Sequence, residues 1–297
     1  MDLKLRHLEV FQAVYETGSV TGAAKRLHCT QPAVSVALAN FEHQIGMRLF
    51  ERSKGRFAAT PEADTLYLEV ERGLLGFARI VSKARELRAG SVQHLRIGVD
   101  GSPAISFLPA TVADFLGDHP DVSVDIASRP SKDVVDWVGS RLLDLGLVET
   151  PLDAPGVQYE PFTQACVALV PADHRLAGRK VLTPELLDGV PVVGCSERHP
   201  IDTQLEAAFA DAEVDLNCVV RGFYFATARN LARCGTGIAF VDSLNADAGV
   251  DDGLVAIPFE PTILYEQALV FPAQPGPGEL VSELLDRLRK TLEPHVL

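Results

Sequence analysis

Residues 18–52 read GSVTGAAKRLHCTQPAVSVALANFEHQIGMRLFER, and the spacing within this stretch decides the first part of the fold. Gly18-Ser19 interrupts the chain, and Ser19 is placed to cap a helix over about 20–27 whose Ala23, Ala24 and Leu27 face inward. Leu27-His28-Cys29 makes a tight turn. Thr30 then caps another helix, with Pro32 in the first turn, where a missing N–H costs nothing, and with Val34, Leu38, Phe41 and Ile45 as its buried stripe. Upstream, Leu5, Leu8, Phe11, Val14 and Tyr15 recur at helical steps and predict a first helix over 5–15. Three short helices, a tight turn and an outer face of Gln31, Ser35 and Asn40 predict a helix-turn-helix. Residues 49–52 and 56–59 read as two short strands around Ser53-Lys54-Gly55, a hairpin wing with a basic tip.

Outward from this head, Thr60-Pro61-Glu62 opens a long polar helix to about residue 89. Its stripe of Leu66, Val70, Leu74, Phe77, Val81 and Leu87 is one that a lone helix does not leave in water, so pairing with a second copy is expected. Beyond Gly90-Ser91 the pattern alternates strand and helix. Strands are expected over 95–99, 122–127 and 143–148, and helices over 104–119 and 131–141. Past 157–162 the grammar restarts, with strands over 166–170, 190–193, 216–220, 238–241 and 264–271 and helices over 201–212, 225–234 and 279–292. This order implies parallel strands joined by crossover helices. The expected fold class is α/β: a winged helix-turn-helix head at 1–60, a linker and dimerisation helix at 61–90, and two α/β lobes of periplasmic-binding-protein-like type at 91–297 with a ligand expected in the cleft between them. Lobe I takes 91–162 and 262–297, lobe II takes 163–261, and Phe162 and Pro261 are the crossing points.

The 297 residues, 47% hydrophobic, exclude a disordered tail and a single small module, and two or three packed units are expected. Apolar runs are broken within about ten residues, short of the roughly 20 that span a bilayer, so no membrane partner is expected. The start, MDLKLRHLEVF, does not read as a secretory leader, which predicts a cytoplasmic protein. The net charge of -13 is segregated: residues 1–60 carry 8 basic and 5 acidic side chains, and the remainder carries 19 and 35. A basic head on an acidic body predicts that only the head meets an anionic partner. Cys29, Cys166, Cys195, Cys218 and Cys234 are scattered and odd in number, and read as reduced thiols. No cofactor or metal is expected.

LRHLEVFQAV, the 18–52 stretch and GRFAATPEA together resemble the amino-terminal signature of LysR-type transcriptional regulators, and the remainder is similar in pattern to their effector domain. GRFAATPEADTLYLEVER and DLGLVET are most similar to the branch of the lysine-biosynthesis (diaminopimelate decarboxylase gene) activator. The resemblance implies that the third helix enters the major groove of double-stranded DNA while the wing follows the adjacent minor groove or backbone. It implies Ser19, Thr21, Thr30, Gln31, Pro32, Ser35, Val36, Asn40, Arg48, Arg52, Lys54 and Arg56 as the DNA-contacting set. Gln31 and Ser35 are short polar side chains suited to base edges, whereas Arg48, Arg52, Lys54 and Arg56 supply phosphate attraction, each contact steepening the salt slope by about 0.9. Ser19 and Thr30 add hydroxyls at helix N-termini. The family commonly carries Arg after the serine of QPAVS, and here that position is Val36, which binds neither phosphate nor guanine but suits a thymine methyl.

The resemblance also implies homodimers, dimers of dimers that bend promoter DNA, contact with RNA polymerase, and a small-molecule effector between the lobes at strand carboxyl ends. The first such loop is Asp100-Gly101-Ser102-Pro103-Ala104. There the Ser102 hydroxyl and the N–H groups of Ala104 and Ile105 are expected to bind a carboxylate. Facing ends are Arg129-Pro130-Ser131, Glu149-Thr150, Ser196-Glu197-Arg198-His199 and Phe223-Tyr224. Ser102, Arg129, Ser196 and Arg198 bind anions, Glu149 binds a cation, and Phe223 and Tyr224 are aromatic walls, with Pro103, Ala104, Ser131 and His199 completing the set. An amino acid or related zwitterion satisfies both signs. The alternatives are an enzyme, a solute-binding protein and a peroxide sensor. No GxxxxGK[ST], HExxH or GxSxG motif supports the first, and Gly235-Thr236-Gly237 follows a helix as a C-cap does. The basic head opposes the second, and the third rests on Cys195 alone.

Overall fold

The computed structural model describes the backbone of residues 3–53, 56–89, 93–152, 154, 156–196, 199–222, 224–247, 252–274 and 276–297; the side chains of 52, 53, 56, 82, 83 and 85–89 lie outside that description. The chain forms two compact units, Met1–Gly90 and Ser91–Leu297.

In the first unit α1 (Leu5–Thr17), α2 (Val20–Arg26) and α3 (Gln31–Ile45) precede an antiparallel hairpin of β1 (Phe50–Ser53) and β2 (Arg56–Ala59), then α4 (Pro61–Ala89). The expected caps form. Gly18 ends α1 in the left-handed region at φ 61°, Ser19 Oγ accepts from Gly22 N–H, and Thr30 Oγ1 accepts from Ala33 N–H. The core gathers on Phe11, which lies 5.5 Å from Phe41 and 5.9 Å from Phe50, ring to ring. On α1 the fully buried positions are His7, Val10, Phe11, Ala13 and Val14, while Leu5, Leu8 and Tyr15 are only half-buried. Tyr15 and Tyr67 stack at 4.1 Å, and their hydroxyls donate to Asp64 and Glu16, tying α1 to α4.

The second unit runs β3 (Gln93–Val99), a 3-10 turn at Ser102–Ala104, α5 (Leu108–Asp118), β4 (Val122–Ser128), α6 (Ser131–Gly139), β5 (Leu145–Glu149), β6 (Val157–Pro171), β7 (Val192–Gly194), α7 (Pro200–Asp211), β8 (Cys218–Arg221), α8 (Phe225–Arg233), β9 (Ile238–Asp242), α9 (Ser243–Ala246), β10 (Leu254–Pro258), β11 (Leu264–Pro272) and α10 (Glu279–Leu292). The strands lie in the order β4-β3-β5-β11-β6-β9-β7-β8, with β10 also on β6. Two hydrophobic cores result. One holds Phe115, Leu145 and Leu288, and the other holds Phe209, Phe240 and Phe259. Gly98 and Gly146 let α6 lie close on the sheet, since a Cβ at either would come within 3 Å of Val134.

Three expectations are corrected. The sheet is mixed rather than parallel: β3 pairs in parallel with β4 and β5, and β7 with β8 and β9, but β6 and β11 run antiparallel to their neighbours. The segments 157–162 and 166–170 are one continuous strand, β6. Its first half pairs with β11 and its second with β9 and β10, so Pro161 sits where only one side is bonded and its missing N–H is tolerated. The helix expected over 104–119 begins only at Leu108, because Pro109 fits the first turn of a helix and not its interior. The short elements β10, α9 and the 3-10 turn at Pro184–Leu187 had no counterpart in the sequence pattern.

Candidate nucleic-acid interface and effector cleft

On the first unit the turn between α2 and α3 is tight enough to place His28 at φ 50°. Val34, Leu38 and Phe41 are buried, which turns Gln31, Pro32, Ser35, Val36 and Asn40 outward, all exposed. Thr21, Thr30 and Arg48 are exposed as well, and Ser19 is half-buried. In the wing Arg52 stands opposite Phe57 and Arg56 opposite Ser53; the two arginine side chains and Lys54 lie outside the described residues. Glu42 was not singled out in the sequence. It accepts from the Leu49 N–H at 2.7 Å and the Phe50 N–H at 3.2 Å, and so fixes where the wing leaves α3. Its signal is its place one turn before Gly46, the left-handed C-cap of α3.

In the second unit a cavity of about 410 Å³ opens at the carboxyl ends of β3, β4 and β5. It is lined by Asp100, Gly101, Ser128, Arg129, Pro130, Glu149, Ser196, His199, Pro200 and Tyr224. Five of the predicted side chains thus meet: Arg129, Glu149, Ser196, His199 and Tyr224. Arg198 and Phe223 lie outside the described residues. Ser102 and Pro103 are buried rather than lining the cavity, and Ala104 is half-buried. The Ile105 N–H, expected to bind a ligand carboxylate, donates instead to the Ser102 carbonyl at 3.0 Å within the 3-10 turn. Ser102 Oγ accepts from the Ala226 N–H at the start of α8, at 3.4 Å, so it joins two parts of the unit directly.

Two side chains hold Glu149 at the cavity. Tyr265 Oη donates to its Oε1 at 2.6 Å, and His199 Nε2 lies 3.3 Å from the same oxygen. His199 Nδ1 accepts from the Ile201 N–H at 3.3 Å, which leaves the proton on Nε2, facing the carboxylate. Burial acts to raise the Glu149 pKa, but the hydrogen bonds from His199 and Tyr265 hold it below the usual carboxylate range. Asp100 moves the other way. Burial, then the neighbouring Glu149 charge, push it up against two hydrogen bonds from Ser131, whose N–H donates at 2.7 Å and whose hydroxyl donates to the same oxygen. Ser131 Oγ in turn accepts from the Glu149 N–H at 2.9 Å, so Ser131 serves as the link between the two acids. Sequence reasoning had used Asp100 only as part of a loop and had missed Tyr265, which is distant in the chain.

Cys195 is buried. Burial, followed by Asp202, pushes its thiol far above the ordinary range, the reverse of what a thiolate-based sensor uses. Both Asp202 oxygens accept from the Cys195 N–H, at 2.9 and 3.1 Å.

Two family descriptions match the chain: bacterial regulatory helix-turn-helix protein, lysR family, over residues 5–64, and LysR substrate binding domain over residues 88–293. The chain belongs to the LysR family. The Regulatory protein NocR of Agrobacterium fabrum (strain C58 / ATCC 33970) is 33% identical over 292 residues, covering 97% of each chain. The Transcriptional activator protein LysR of Escherichia coli (strain K12) is 34% identical over 293 residues, covering 98% of this chain and 94% of its own. The crystal structure of CbnR, a LysR family transcriptional regulator, shares the fold at a TM-score of 0.75 with 19% identity, covering 97% of this chain and 99% of that one. This LysR-family protein is therefore a DNA-binding transcriptional regulator with an effector-binding domain, and the enzyme and solute-binding alternatives fall with that assignment. No described helix is long and apolar enough to cross a membrane.

Proposed function

We propose that the first unit grips duplex DNA through Ser19, Thr21, Thr30, Gln31, Pro32, Ser35, Val36, Asn40, Arg48, Arg52, Lys54 and Arg56, with α3 in the major groove and the wing on the adjacent backbone. The exposed row of Gln31, Ser35 and Asn40 beside the basic run at 48–56 supports this division between base and phosphate contacts. Residues 61–90 pair two copies. Phe77 and Ile80 support this, being 46% and 68% exposed on α4. A dimer then prefers a palindrome with half-sites about one helical turn apart, and dimers of dimers bend the promoter DNA. The protein works in the cytoplasm and acts on RNA polymerase.

The effector of residues 91–297 is a small zwitterion, an amino acid or a biosynthetic relative, held between lobe I (91–162 and 262–297) and lobe II (163–261). The observation that carries this is the mixed charge around the cavity: Asp100 and Glu149 suit an ammonium, while Arg129 with the Ser196 hydroxyl suits a carboxylate. Tyr224 forms the aromatic wall and His199 lines the cavity beside it, Arg198 and Phe223 complete the binding set, and Ser102, Pro103, Ala104 and Ser131 support the loops around it. The ligand shifts the DNA-bound arrangement only by its difference in affinity between the two states. Calorimetry of the full chain with a panel of amino acids and their N-acetyl derivatives tests the reading. Binding is expected for at least one free amine and is expected to weaken about tenfold or more in Glu149→Gln. Equal binding of the acetylated forms would reject the zwitterion.

A further inference from the structure

The outward face of α3 carries no Arg, Lys, Asp or Glu side chain, and the exposed His43 lies in its last turn. Its exposed positions include Gln31, Pro32, Ser35, Val36, Ala39 and Asn40, and the only acid of the helix, Glu42, is turned to the Leu49 and Phe50 N–H groups. Val36 is 60% exposed and takes no part in the hydrophobic core of its unit. A β-branched residue there gains nothing from burial and is a slightly poorer helix former than alanine. Pro32 lies four residues before it and Ala39 three after, so the three form one low apolar ridge along the helix, flanked by the amides of Gln31 and Asn40.

In the major groove the four base pairs present different edges. Guanine, with its two acceptors, is read chiefly by Arg or Lys, which this face lacks. Adenine N6 and N7 match the donor and acceptor of an Asn or Gln amide, and the thymine C5 methyl is the one apolar group available. From these matches we infer that Val36 reads a thymine methyl in each half-site. Burying one methyl against Val36 adds about fourfold to affinity per half-site. The inference rests on α3 lying in the major groove.

The test uses the full chain and a duplex selected with it from a random-sequence pool. Salt-sensitive retention of the selected duplex over the unselected pool checks DNA recognition itself. Each thymine is then replaced in turn by deoxyuridine, which keeps pairing and removes only the methyl. The expected result is one position per half-site at which the wild-type chain binds about fourfold more weakly, while Val36→Ala binds thymine and uracil duplexes alike. Recognition without any methyl effect would overturn the inference and leave DNA binding intact. A methyl effect of equal size in Val36→Ala would overturn it too, since the methyl would then act on duplex shape or on another side chain.

Discussion

On α3 the exposed side chains include Gln31, Ser35, Val36 and Asn40 and no Arg or Lys, and the basic residues that follow them in the sequence fall at 48–56. In the second unit the cavity gathers Asp100, Glu149, Arg129 and His199 around about 410 Å³, all half-buried, with Glu149 in contact with His199 and linked through Ser131 to Asp100. Exposed cations lose most of their effect to salt within about a Debye length, whereas charges that are desolvated and hydrogen-bonded are screened little and answer to pH instead. On the function proposed above, the two regions therefore bind charged partners under different physical control.

The largest expected effect is in the head. Replacing Arg48, Arg52, Lys54 and Arg56 together by alanine removes up to four phosphate contacts, each contributing about 0.9 to the salt slope. Affinity for any duplex is expected to fall about a hundredfold at moderate salt, with the slope flatter by up to about 3.6. Filter binding across a salt series on selected and random duplexes measures both numbers. Gln31→Ala separates base reading from this, with relaxed preference and an unchanged slope. If the quadruple variant keeps the wild-type slope, the wing is not the phosphate grip.

In the cleft the corresponding change is smaller and of another kind. Tyr265→Phe removes the 2.6 Å hydrogen bond to Glu149 without altering the cavity lining. A hydrogen bond to a charged group contributes about 1.5–3 kcal/mol, so affinity for an ammonium ligand is expected to drop by roughly tenfold. The pH dependence carries the sign. Glu149 is held below its ordinary value, so the ionised form persists as pH falls, and binding is lost only when pH drops through that lowered value. Without Tyr265 the loss begins at a higher pH. Titration calorimetry over the acid range decides between this and a purely structural role, which would weaken binding equally at every pH.

How much of each region was legible follows from how far apart its determinants lie. In the head Gly18, Ser19, Thr30 and Pro32 act within four residues of their effect, and the stripe of Val34, Leu38 and Phe41 is helical arithmetic, so the elements and the exposed face were readable directly. In the cleft Glu149 is set by Tyr265, 116 residues on, and by His199, from different parts of the sheet. No local pattern announces such a meeting. Ser102 shows the other limit: its loop was correctly placed, yet the 3-10 turn uses its carbonyl and buries its hydroxyl against Ala226. The long strand β6 stayed hidden because Pro161 breaks the usual strand signal, and only the one-sided pairing there makes the residue harmless.

The smallest effect tests whether the head owes its order to such local caps. Ser19 Oγ accepts from Gly22 N–H at 3.0 Å and Thr30 Oγ1 from Ala33 N–H at 3.4 Å, so the first bond is the better made. Removing an N-cap acceptor typically costs about 1 kcal/mol, and Ser19→Ala is expected to reach that figure while Thr30→Ala falls nearer half of it. The two units carry separate reporters. The stacked pair of Tyr15 and Tyr67 belongs to the first, and Trp137, the single tryptophan, is buried in the second. In urea, the part of the near-ultraviolet dichroism that is lost when Tyr15 and Tyr67 are both replaced by phenylalanine should show an earlier midpoint in Ser19→Ala, with Trp137 emission following its wild-type transition. A shift of both signals together would mean that the head draws its stability from the whole chain, and its local legibility would then say nothing about its energetics.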